Sequence, residues 1–239
     1  REDRSRTSLN LPGRQEELLK AVCATGKPVV LVLLDGRASS INYAAAHVPA
    51  ILHAWFPGEF CGQAVAEALF GDYNPGGRLA VTFPKSVGQI PFAFPFKPGS
   101  DESSSTSVYG VLYPFGHGLS YTTFSYGDLK ISPLRQGVQG DINISCKIKN
   151  TGKIKGDEVV QLYLRDEVSS VTTYTKVLRG FERISLEPGE EKIVRFKLRP
   201  QDLGLWDKNM NFCVEPGSFK VMVGASSADI RLEGSFEII

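Results

Sequence analysis

Carboxylates, imidazoles and thiols are the side chains best able to do chemistry, and in this chain of 239 residues they are scattered. Cys23, Cys61, Cys146 and Cys213 form no C-x-x-C pair, and His47, His53 and His117 complete no metal-ligand pattern. The thiols are therefore read as small buried apolar residues rather than a disulfide framework, and no metal site is expected. Asp35-Gly36-Arg37 follows the apolar run Val29 to Leu34, the place where α/β folds put their ligand loops. The reading favoured for Arg37 is an ion pair with a carboxylate at a domain interface. Trp55, Phe56 and Pro57 are read as shaping a strand end and its turn rather than as a stacking surface. Asp72 and Asn74 fall in a Gly/Pro-rich turn, where short polar side chains are expected to bond local backbone.

The elements that position these residues change character along the chain. Pro12 suits a first helical turn, with Gln15, Glu16 and Glu17 near the positive end of the helix. Leu18, Leu19, Val22 and Cys23 then share one face, and Gly26 with Pro28 stops the helix. Val29 to Leu34 reads as a strand covered on both faces. Ala44 to His47 reads as a helical turn and Ala50 to Trp55 as a second buried strand. Gln63 to Phe70 is a short helix closed by Gly71, and Leu79 to Phe83 a third strand. Such alternation with short links predicts α/β layers and a parallel sheet. Only part of such a sheet is present, so its other strands are expected to precede residue 1; Arg1 to Thr7 has neither an initiator Met nor the apolar core of a signal peptide, and the chain is expected to be cut from a longer one.

Residues 84–125 are rich in proline, glycine and aromatic residues. The polar run Gly99 to Ser107 within them is predicted to be a mobile, solvated loop. From about Phe124 the period becomes two. Ile142, Ile144, Cys146 and Ile148 alternate with polar residues, as do Val160, Leu162 and Leu164, then Val194, Phe196 and Leu198, then Phe219, Val221 and Val223. Asn150-Thr151-Gly152, Glu187-Pro188-Gly189 and Glu215-Pro216-Gly217 supply turns. Many short strands with one apolar face predict an antiparallel β-sandwich. Asn143-Ile144-Ser145 fits a glycosylation sequon, a common tripeptide of little weight.

Composition excludes some partners. Lys and Arg total 27 against 26 Asp and Glu, which gives no electrostatic reason to expect nucleic acid or an anionic membrane as partner. Hydrophobic residues at 42% and charged residues at 22% predict a packed core.

The ordered motifs go further. They run Leu11-Pro12-Gly13-Arg14-Gln15, Gly26-Lys27-Pro28-Val29-Val30, Asp35-Gly36-Arg37, Trp55-Phe56-Pro57-Gly58, then Leu69-Phe70-Gly71-Asp72-Tyr73-Asn74-Pro75-Gly76-Gly77-Arg78-Leu79. Phe83-Pro84-Lys85-Ser86 and Tyr113-Pro114-Phe115-Gly116-His117-Gly118-Leu119-Ser120-Tyr121-Thr122 follow. In this order they closely resemble the C-terminal region of glycoside hydrolase family 3, the β-glucosidase and β-xylosidase family. Asn150-Thr151-Gly152, Gly156-Asp157-Glu158-Val159-Val160-Gln161-Leu162-Tyr163 and Gly180-Phe181-Glu182 resemble that family's fibronectin type III-like domain.

The resemblance implies an α/β plus all-β fold: a partial α/β sandwich with a mainly parallel sheet, then an antiparallel fibronectin type III-like β-sandwich. The expected boundaries are 1–85 for the end of the α/β sandwich domain, 86–123 for a linker and loop segment, and 124–239 for the second sandwich. The implied activity is retaining, exo-acting hydrolysis of terminal β-D-glucosyl residues, with no cofactor. β-Xylosidase activity and a non-catalytic carbohydrate-binding or structural module are the alternatives. For the module, Tyr163, Tyr174 and Trp206 would supply part of an aromatic row. The implied partners are a β-linked oligosaccharide or glucoside and the N-terminal (β/α)8 barrel, which carries the nucleophilic Asp. The fragment alone is expected to be inactive, and a processed two-chain enzyme and a homo-oligomer both stay open. Glu2-Asp3-Arg4-Ser5-Arg6-Thr7 resembles the segment whose Glu, followed at the fourth position by Arg, is the general acid/base, and this gives the role to Glu2. The sequence departs from that family pattern at Arg1, where Gly is usual, and at Phe60 and Cys61, where many relatives have Glu and Gly. A periplasmic or extracellular location follows from the resemblance alone.

Overall fold

The computed structural model describes residues 6–89, 94–100 and 108–239. Two compact units account for them. The first holds residues 6–73, 81–89 and 108–114, and the second holds residues 74–80, 94–100 and 115–239. Glu2 lies outside the described residues, as does the 101–107 part of the polar run read as a mobile loop.

The first unit opens with helix α1 (Gln15–Cys23), whose first turn carries Glu16 and Glu17 at the positive dipole end. Only Leu19 of the expected apolar face is buried; Leu18 and Val22 are exposed. Strand β1 (Val30–Leu33) pairs in parallel with β2 (Ala50–His53), joined by α2 (Asn42–His47). Helix α3 (Cys61–Phe70) ends at Gly71, whose φ of 85° is the left-handed cap that glycine adopts without steric cost. The sheet has only these two strands among the described residues. Its strands are also less covered than the sequence predicts, since only Leu33 is fully buried and Val30 faces solvent. Leu19, Leu33, Ile41, Ala44 and Val48 form the unit's small core.

The third predicted strand does not form. Leu79 exchanges backbone bonds with Gly116 and His117, within the second unit. Phe83 instead pairs with Tyr113, within the first. Both ends of the apolar run thus bond to residues 113–117, and only the bridge of Phe83 to Tyr113 is regular.

The second unit is the β-sandwich. One sheet is β3 (Phe124–Ser132), β5 (Ile142–Asn150) and β8 (Glu191–Leu198), in the order β3-β5-β8. The other has the order β4-β12-β11-β6-β7, built from β4 (Arg135–Gln136), β6 (Gly156–Asp166), β7 (Val177–Leu186), β11 (Gly217–Gly224) and β12 (Ile230–Ile238). Pairing is antiparallel throughout except between β4 and β12. A short helix α4 (Pro200–Leu203) precedes a small hairpin of β9 (Leu205–Trp206) and β10 (Phe212–Cys213).

Period two places the predicted residues inward. Ile142, Ile144, Cys146, Ile148, Val160, Leu162, Val194, Leu198, Phe219, Val221 and Val223 all join one buried cluster, with Phe196 packed against it. Burial also pushes the Cys146 thiol up to about 11, so it stays a protonated, inert thiol. Asn150 pins the turn after β5. Its Nδ2 donates to the Ile154 and Leu186 carbonyls, and its Oδ1 accepts from Thr122 Oγ1 and Gly152 N–H. A fully buried amide with both ends satisfied fixes this corner.

Candidate functional site

In the first unit the chemistry-bearing residues gather at the C-terminal ends of β1 and β2. Parallel pairing sets Leu33 beside His53, so the chain leaving each strand, Asp35-Gly36-Arg37 and Trp55-Phe56-Pro57, emerges on the same side. The Ala54 N–H donates to the Leu33 carbonyl at 2.9 Å and extends the pairing by one step. Ser39 Oγ donates to the Asp35 carboxylate, which closes the loop after β1 on itself. Phe56 lies on Gly36, where a Cβ would meet its ring carbons at 2.4 Å; only glycine allows this approach. Phe56 is 76% exposed.

Beneath this rim is an aromatic nest. His53 meets Trp55 at 4.3 Å and Phe83 at 5.2 Å, both edge-on. Phe83 in turn meets Tyr113. Trp55 has a φ of 54°, a left-handed conformation uncommon for a bulky residue. The His53 ring nitrogens are shut off from solvent without a well-formed hydrogen bond among the described residues. Burial pulls the His53 imidazole below its usual range, with the Asp35 carboxylate opposing, so the ring is neutral at pH 7. Ser40 Oγ donates to the Pro84 carbonyl at 3.0 Å and ties the loop after β1 to the segment carrying Phe83. The arrangement offers an exposed aromatic rim and a carboxylate, a set suited to holding a ring-shaped polar ligand. Among the described residues no group of three His, Cys, Asp or Glu could hold a metal ion.

In the second unit, the Gly/Pro-rich motif segments are fastened to the sandwich. Asn74 does not bond its own turn, as the sequence reading expects. Its Nδ2 donates to Ser120 Oγ at 2.9 Å and to the Lys155 carbonyl at 3.2 Å, and its Oδ1 accepts the Tyr121 N–H at 2.8 Å. Arg78 reaches Glu158 on β6 at 3.1 Å, with both side chains almost wholly shielded. Glu158 also accepts from the Tyr126 hydroxyl on β3 at 3.0 Å. Burial raises the Glu158 carboxyl, with the Arg78 guanidinium opposing, and the Tyr126 phenol is raised by burial and by Glu158. Gly118 lies against the Gly77 carbonyl so closely that a Cβ would meet it at 2.3 Å. This network holds the motif segments against the sandwich through side chains that are almost wholly shielded.

Residues 1–121 match the glycosyl hydrolase family 3 C-terminal domain, and residues 158–227 match the fibronectin type III-like domain. The chain belongs to glycoside hydrolase family 3. A β-xylosidase of Formosa agariphila is 47% identical over 93% of this chain and 31% of its own length. The periplasmic β-glucosidase of Salmonella typhimurium is 42% identical over 98% of the chain and 32% of its own. Among solved structures, a β-glucosidase from Erythrobacter marinus superposes with a TM-score of 0.94 at 42% identity, covering 98% of this chain and 31% of that one. The Listeria innocua β-glucosidase in complex with glucose does so at 0.89 and 34%, covering 98% and 34%. The family 3 chain thus spans about a third of the length of the relatives it matches.

The other predicted residues separate. Asp35 and Arg37 stand at the strand-end rim with Trp55 and Phe56, whereas Asp72 is exposed at the α3 cap. Phe60 is exposed and Cys61 half-buried at the start of α3. The aromatic row loses Tyr163, which is buried with its hydroxyl on Gln161 at 2.5 Å, while Tyr174 and Trp206 are exposed. Phe94 packs edge-on against Tyr163, covering the β6 face that alternation predicts to be open. His53 and the Arg78–Glu158–Tyr126 network were not singled out from the sequence. The signals for them were a polar His53 inside the apolar run Ala50 to Trp55 and the presence of Arg78 and Glu158 within the family motifs.

Proposed function

We propose that this chain is the C-terminal portion of a retaining, exo-acting β-glycosidase, most simply a β-glucosidase that releases terminal non-reducing β-D-glucosyl residues. The observation that carries the reading is the match to family 3 glycosidases along 98% of the chain, with β-glucosidases recurring among both relatives and solved structures.

The chemistry divides between two carboxyls about 5–5.5 Å apart. The nucleophile belongs to the N-terminal barrel, the partner assigned to this chain. Glu2 is assigned the acid/base role. It gives its proton to the leaving oxygen as the barrel Asp bonds to the anomeric carbon. It then takes a proton from the water that cleaves the glycosyl-enzyme. Residues 1–85 are assigned to the end of the α/β sandwich domain, 86–123 to the linking segment and 124–239 to the fibronectin type III-like sandwich. The exposed apolar surface of the first unit, with Val30, Leu34, Phe60 and Phe70, is assigned as the seat of the remaining α/β strands. A periplasmic or extracellular site of action is part of the proposal, in line with one relative's description as periplasmic.

A β-xylosidase reading is favoured by the 47% identity to the Formosa agariphila β-xylosidase. Hydrolysis of aryl β-glucoside and aryl β-xyloside, by the chain alone and with the barrel portion of the same protein added, tests both. The expected result is silence alone and turnover on addition, faster on the glucoside. Turnover by the chain alone would overturn the split-site reading.

A further inference from the structure

The loop between β6 and β7 lines an open depression of about 420 Å³, within the size range of small-molecule sites. It is lined by the run Ser169-Ser170-Val171-Thr172-Thr173-Tyr174-Thr175 together with Arg165, Asp166 and Glu167.

The loop is braced. The Glu215 carboxylate accepts from both Ser170 N–H, at 2.8 Å, and Ser170 Oγ. Glu167 N–H donates to the Ser218 carbonyl, and Ser218 Oγ returns a bond to the Glu167 carboxylate at 2.8 Å. The Thr175 N–H donates to the Phe96 carbonyl at 2.8 Å. These cross-links hold the depression open at little further ordering cost to a ligand.

The lining selects a ligand class. The hydroxyl protons of Ser169, Ser170 and Thr175 are donated to Val171, Glu215 and Phe96, which leaves their oxygens as acceptors for sugar hydroxyls. Tyr174 is exposed and lines the same depression, where an aromatic ring can pack on a sugar. Asp166 is half-buried at the strand end, an acceptor in a low-dielectric setting. Burial, seconded by the charge of Glu215, pushes its carboxyl up to about 6 against the Val168 N–H. An anion would be opposed by Asp166 and Glu167, which outnumber Arg165 in the lining. An apolar ligand would cover the Asp166 carboxyl without offering it a further donor. A metal ion lacks a three-ligand set among the described residues.

We propose that this depression is a saccharide-binding pocket of the β-sandwich, with Tyr174 as the stacking face and Asp166 as the principal hydroxyl acceptor. The proposal does not depend on the β-glycosidase reading, because it concerns binding and not turnover.

The test is titration of the isotope-labelled 239-residue chain with cellobiose and, separately, xylobiose, followed by amide chemical shifts. Sodium phosphate serves as the charged comparator. Saturable shifts centred on residues 166–175 with at least one sugar, at millimolar affinity, are expected. Tyr174→Ala should weaken that binding about five- to tenfold, and Asp166→Ala about tenfold, with the remaining amide spectrum unchanged. Tyr174 is a surface residue, so its variant keeps the test valid if Asp166→Ala folds poorly. The proposal is overturned by any of three results: no saturable shift with either sugar up to about 50 mM, shifts centred elsewhere, or shifts that survive both substitutions. Occupancy of the pocket by phosphate and by neither sugar would also overturn it.

Discussion

The two units bury the same kinds of residue to very different degrees. In the sandwich, β5, β6, β8 and β11 turn rows of apolar side chains inward, and Ile142, Ile148, Val160, Leu162, Val194 and Leu198 are wholly shielded. In the α/β unit the small core cluster is Leu19, Leu33, Ile41, Ala44 and Val48, with Ala68 and Phe83 also shielded, while Val30, Leu34, Phe56, Phe60 and Phe70 face solvent. A parallel pair is ordinarily covered on both faces, and β1 with β2 is not. The difference teaches that the sandwich closes its own core. The α/β unit presents an apolar surface of the sort that marks an interface, which the proposed function assigns to the rest of the enzyme.

The comparison is broken most severely in the sandwich. Arg78→Met should destabilise that unit by about 3–5 kcal/mol, because it leaves Glu158 buried without its partner. Chemical denaturation followed at Trp206 in a Trp55→Phe background reads it. The Glu158 carboxyl, already raised by burial, rises further without Arg78. Its charging then penalises the fold as pH rises above the unfolded carboxylate range, so the variant should recover part of its loss as pH is lowered. A loss that is equal at all pH values would contradict the buried-pair account.

His53 sharpens the other side. Its pKa in the fold lies below the ordinary value of 6.5. Below about pH 6.5 the unfolded chain takes up a proton that the fold resists, so the α/β unit loses stability as pH falls. His53→Phe removes that term. The stability gap between variant and parent should shift in the variant's favour as pH drops from 7 toward 5, measured by thermal unfolding. A pH-independent gap would mean the ring is solvated.

The smallest effect is expected at Phe70, 86% exposed at the end of α3. Phe70→Ser should change stability by no more than about 0.5 kcal/mol. It should visibly reduce binding of a hydrophobic dye by the isolated chain. A loss of several kcal/mol would show that the α/β surface is not open.

The sandwich was readable because an antiparallel sheet with one covered face writes period two directly into Ile142 to Ile148 and Val194 to Leu198. The helix α3 was readable because Gly71 marks its end. Leu79 to Phe83 misled because an apolar run does not reveal its partner: both ends bond to residues 113–117, and only Phe83 with Tyr113 makes a regular bridge. Tyr163 misled for a related reason: alternation places it outward, and Phe94 from a distant segment covers that face. Asn74 looked like a local turn residue, whereas its partners lie 46 to 81 residues away. Of the site, the strand-end placement of Asp35 and Trp55 follows from parallel pairing. The role of Glu2 comes from family resemblance alone.

The most direct measurement is the leaving-group dependence of the Glu2→Gln variant in the enzyme completed by its barrel. If Glu2 protonates the leaving oxygen, kcat/KM on cellobiose should fall by about 10²–10⁴-fold. A glucoside with a strongly acidic aryl leaving group should lose far less in the same glycosylation step. Equal losses on both substrates, or no loss on cellobiose, would contradict the assignment of the acid/base to this chain.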